Sequence, residues 1–102
     1  MNAIAWTSFL IQRELRGFAR EIDLFADEEQ IWQTAPGVTN SVGNLALHVC
    51  GNLQHFVGAI LGGSAYARDR PFEFAARGLP RAQLLAEIER TREVVARVLP
   101  GL

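Results

Sequence analysis

From Gln30 to Ala67 the chain carries no Asp, Glu, Lys or Arg, although 21% of its residues are charged. Such side chains are almost never fully buried unless paired, so a long run without them belongs inside a fold or at an interface. The titratable groups left in this run are His48, Cys50, His55 and Tyr66. A chain of 102 residues that must enclose the run forms one domain, residues 1–102, around one core.

Periodicity assigns the run and its flanks to helices. Ile11, Leu15, Phe18, Ile22 and Phe25 recur at spacings of four and three, which predicts an amphipathic helix from about Ala3 to Ala26. Asp27 and Gln30 have capping-box spacing ahead of Ile31 and Trp32, and Pro36-Gly37 marks a turn. A second helix is expected from an N-cap at Asn40 or Ser41 to Gly62-Gly63. It carries an apolar stripe (Leu45, Val49, Leu53, Phe56, Ile60), a polar stripe (Asn44, His48, Asn52, His55) and a glycine stripe (Gly51, Gly58, Gly62). None of its faces is made for water, so it needs neighbours on several flanks.

Ser64–Leu79 reads as a loop whose aromatics pin it to the helices and whose arginines, Arg68 and Arg70, are solvated. Pro80 suits the first position of a third helix, running to about Leu99 with the seam Leu84, Leu85, Ile88, Thr91, Val95 and Val98. The fold expected is all-α, an antiparallel helical bundle. Three helices leave the second one uncovered, and a fourth helix or another copy of the chain must supply the missing wall. Leu45, Val49, Gly51, Leu53, Phe56, Gly58 and Ile60 are the candidate interface.

Bulk properties exclude several classes. A net charge of −1 gives no footprint for nucleic acid. The window Gly43–Leu61 is about long enough for a bilayer, but Asn44, His48, Asn52, Gln54 and His55 lie within it, so no membrane span is expected. Met1–Ile4 lack the features of a signal peptide, and a single cysteine cannot close an internal disulfide; both fit a cytoplasmic setting.

The two histidines are the candidate chemistry. Seven residues separate them, which places them on one face but roughly 10.5 Å apart along the axis, too far to share an ion. Either is a hydrogen-bonded interior residue, partnered by Asn44 or Asn52, or one ligand of a metal completed from another helix. Cys50 lies well round the helix from His48 and reads as a small buried hydrophobe.

Ser41-Val42-Gly43-Asn44-Leu45-Ala46-Leu47-His48, preceded by Trp32 and Pro36-Gly37, resembles the second-helix signature of the DinB/YfiT superfamily. The Gly-Gly stop, Arg68-Asp69-Arg70 and the helix opening at Pro80 are also similar to small DinB-like proteins. The resemblance implies the first three helices of a four-helix bundle, commonly dimeric. It implies too a divalent metal, zinc or nickel, held by one His of the second helix and two spaced four apart in the fourth. Only His48 maps onto a family ligand, the first; His55 is at no family ligand position and is the lesser metal candidate, and the other two ligands have no counterpart before Leu102. Two functions are therefore expected. One is a DinB-like metal-dependent enzyme, a thiol-dependent transferase or hydrolase with an incomplete metal site. The other is a non-catalytic helical module that binds itself, as a homodimer or higher homo-oligomer, or a partner.

Overall fold

The computed structural model describes residues 2–102; Met1, where the signal-peptide reading begins, lies outside the described residues. Helix α1 (Ala3–Leu24) is capped by Asn2, whose side chain accepts the Ala5 N–H at 2.8 Å. Leu15 and Ile22 of its seam are buried, with Ile11, Phe18 and Phe25 packed beside them. Each such side chain contributes about 1.5–3 kcal/mol when fully removed from water. Phe25 turns to extended backbone, so α1 stops short of Ala26. The Asp27–Gln30 capping box then opens a 3-10 turn, Glu28–Trp32, that buries Ile31 and Trp32.

Helix α2 (Val42–Leu53) starts at Ser41, whose hydroxyl accepts the Asn44 N–H at 3.1 Å. Gly43 lets the Trp32 ring lie against the helix, since a Cβ there would come within 2.7 Å of the indole. The helix continues as a π-helical segment, Gln54–Leu61, and ends at Gly62-Gly63, where Gly63 takes a positive φ of 70°. The expected loop contains a short helix, α3 (Arg70–Ala75), capped by Asp69, whose Oδ1 accepts the Phe72 N–H at 3.1 Å. Helix α4 (Arg81–Val98) uses Pro80 as its N-cap rather than its first residue, and a 3-10 turn, Leu99–Gly101, follows it. Among the described residues there is no strand, and no helix is long and apolar enough to cross a membrane.

The helix directions differ from the antiparallel expectation. Gln12 of α1 pairs with Arg92 of α4, and Arg81 donates to the Phe25 carbonyl, so α1 and α4 are antiparallel. Gln54, Gly58 and Gly62, in the π-helical continuation of α2 and its stop, meet Thr91, Val94 and Val98 of α4 in turn, so these two helices run parallel. The connection through α3 travels back along the molecule, which lets α4 restart at the end where α2 began. Toward the core α2 and its π-helical continuation turn Ala46, Leu47, Cys50 and Val57, with Gln54 donating to Glu87 and Thr91. Both α1 and α2 lie along α4 but touch one another sparingly. Between them remains a groove of about 360 Å³.

Candidate functional site

The polar stripe of α2 places Asn44 one turn before His48, and Asn44 is completely used. Its Nδ2 donates to the Glu73 and Ala76 carbonyls, both at 3.0 Å, at the end of α3. Its Oδ1 accepts from Ser41 Oγ at 2.6 Å and from Arg77 Nη1 at 2.9 Å. A helix end leaves carbonyls without partners, and here a buried amide supplies them. That contact sets α3 against α2 and aims Glu73 inward.

Glu73 is 3% exposed, an unusual depth for a carboxylate. Its head fills the notch left by Gly51; a Cβ at that position would lie 1.7 Å from Glu73 Oε2. Arg68 clamps both oxygens, Nε to Oε2 and Nη2 to Oε1, each at 2.9 Å. Two parallel charge-assisted bonds of this kind are among the strongest polar contacts in proteins. The Glu73 hydrogen bond raises the Arg68 guanidinium above its ordinary pKa, so the clamp stays charged.

His48 stands at the edge of this pair. Its Nδ1 is 3.2 Å from Glu73 Oε1 and 3.1 Å from Arg68 Nη2, and its ring packs on Phe74 at 5.0 Å between centroids. Arg70 lies over the far part of the same cluster, 5.8 Å from the Phe74 ring centroid. The His48 side chain is 31% exposed and also borders the groove. The groove's other walls are Leu10, Ile11, Glu14, Leu15 and Phe18 of α1 with Val49, Asn52 and Leu53 of α2. One imidazole thus joins a closed ionic cluster to an open apolar channel.

The other candidates fall elsewhere. His55 sits edge-on to Phe56 at 4.7 Å, two turns away from His48. Cys50 is buried, and burial pushes its thiol up to about 11 against the opposing pull of the Thr91 hydrogen bond, which keeps it protonated at neutral pH. Leu45, Phe56 and Ile60 are exposed and continue the apolar stripe of Val49 and Leu53, the two members that line the groove. Gly51 and Gly58 do not belong with them. Both are buried inside the chain, Gly51 against Glu73 and Gly58 against Val94, because their missing side chains make room for those neighbours.

Among the described residues no three His, Cys, Asp or Glu side chains gather as a metal site. The nitrogen of His48 that faces other polar groups lies between the Arg68 guanidinium and a carboxylate already clamped by it. The residues present therefore do not fit the divalent metal that the resemblance implies. Sequence reasoning also missed Glu73 and left Arg68 in solvent, whereas the Arg68 side chain is 14% exposed. The Asp69 cap followed by Pro71 is the signal that reveals α3 and, with it, an inward face for Glu73. No family model matches the sequence, and neither a curated protein nor a solved structure matches the chain.

Proposed function

We propose that this chain is a helical association module, a three-helix frame that takes up a helix of a second copy of itself in the groove between α1 and α2. The open groove is the observation that carries this reading. Two corners of a helical square, α1 and α2, are each packed on α4, and the corner next to both is vacant. On the stripe that carries Val49 and Leu53 stand Leu45 of α2 and Phe56 and Ile60 of its π-helical continuation, all exposed. A run of exposed large apolar side chains continuing from an apolar groove is the kind of surface that marks an interface.

A second copy is the occupant of matching chemistry. It brings the same apolar helical faces, and a two-fold arrangement lets each copy cover the other's groove. The DinB/YfiT resemblance agrees with this reading, since a family bundle of four helices has one wall more than the three long helices here. Metal-dependent catalysis is supported by the resemblance alone.

Light scattering and sedimentation across micromolar to tens-of-micromolar concentrations test the proposal. A dimer is expected, converted to monomer by Phe56→Glu combined with Ile60→Glu at unchanged helicity. A wild-type chain that stays monomeric throughout that range overturns it.

A further inference from the structure

Arg68 and Glu73 make opposite demands on one atom, Nδ1 of His48. A guanidinium can only donate, so Arg68 Nη2 at 3.1 Å is satisfied by a bare nitrogen. A carboxylate can only accept, so Glu73 Oε1 at 3.2 Å is satisfied by a protonated one. The remaining contacts decide between them. Both Glu73 oxygens are already supplied by Arg68 at 2.9 Å. Nη2 carries two hydrogens; one goes to Oε1, and the second has the His48 lone pair as its partner. A proton on Nδ1 would set one N–H against another at this distance and leave that second hydrogen without an acceptor. A bare Nδ1 satisfies every group, and the proton then sits on Nε2. With Nδ1 turned to the ion pair, Nε2 lies across the ring from it, on a side chain that borders the groove.

We propose that Arg68, anchored by Glu73, is the positioning residue that holds His48 as its Nε2–H tautomer, so that this end of the groove offers a hydrogen-bond donor and refuses divalent cations. A metal at Nε2 requires the proton to move to Nδ1, against the guanidinium. The groove's occupant instead meets His48 with an oxygen acceptor, such as a backbone carbonyl or a carboxylate. This holds whatever fills the groove, so it stands or falls separately from self-association.

The tautomer is read directly from long-range proton–nitrogen correlation spectra of the imidazoles in the full chain, at about pH 8, where an ordinary histidine is neutral. The expected spectrum shows His48 with a protonated Nε2 and a bare Nδ1, unmoved by a tenfold excess of zinc chloride. Arg68→Met is expected to move the proton to Nδ1, toward Glu73, and to make the His48 signals respond to zinc. A wild-type Nδ1–H tautomer, a wild-type zinc response at micromolar metal, or an unchanged tautomer in folded Arg68→Met each overturns the proposal. The wild-type spectrum and zinc titration decide the matter even where Arg68→Met does not fold. A merely structural Arg68 would leave the tautomer where it was.

Discussion

Helix α2 has two flanks built on opposite principles. Toward α3 it is polar and closed: Asn44, His48 and the Gly51 notch receive two carbonyls, a guanidinium and a buried carboxylate. Toward α1 it is apolar and open: Val49 and Leu53 line a groove, and Phe56 and Ile60 are 50% and 63% exposed. The inversion teaches something about burial. Polar groups go inside when each has a partner of fixed geometry, and apolar groups stay outside when the chain provides no surface to cover them. The closed flank is where substitution damages this chain; the open flank is where substitution changes what it meets.

Arg68→Ala breaks the contrast most severely. It leaves Glu73 as an unpaired buried charge, and chemical denaturation is expected to show a loss of about 3–5 kcal/mol. Removing Arg68 and Glu73 together costs less than the two single losses added, as expected for a contacting pair. Gly51→Ala attacks the same flank sterically. A methyl where Glu73 Oε2 now lies expels the carboxylate, with an expected loss of about 3 kcal/mol in the same assay.

A smaller effect tests the core between the flanks. Burial raises the Cys50 thiol from 9.0 to about 11, so the folded chain holds a proton that the unfolded chain releases. The stability attached to that proton is whole below pH 9 and is lost as pH rises toward 11. A shift of this size corresponds to roughly 2–3 kcal/mol. Denaturation midpoints at several pH values in this window should fall, and less steeply in Cys50→Ala. The smallest effect belongs to the open flank: Phe56→Ser is expected to change the stability of the dilute monomer by within about 0.5 kcal/mol while weakening association.

Local signals carried much of the architecture. The spacing of Leu15 and Ile22, the Asp27–Gln30 box, the Ser41 cap and the Gly62-Gly63 stop each act within a turn or two of themselves, so they are visible in a string of residues. Helix direction was not visible in this way. Whether α4 runs with or against α2 depends on the path of a long connection, and no residue encodes that path locally. Half of the site was legible for the same reason. His48 stood out in a charge-free run, but Glu73 lay among charged loop residues and became conspicuous only once Asn44 and Gly51, 29 and 22 positions earlier, were placed beside it. The glycine stripe misled for a related reason: small residues announce a close approach, and the approaching groups turned out to be Glu73, Val94 and Val98 of the same chain.

The central place of α4 bears on how the chain folds as it is synthesised. The contacts that α1 relies on join Gln12 to Arg92 and Phe25 to Arg81, and the segment after α2 joins Gln54 to Thr91, so these seams cannot close until α4 has been made. At ribosomal speeds of about 5–20 residues per second, the apolar faces of both helices wait for several seconds without their partner. Folding here is withheld until α4 arrives, and any factor that shields nascent apolar helices acts before that moment.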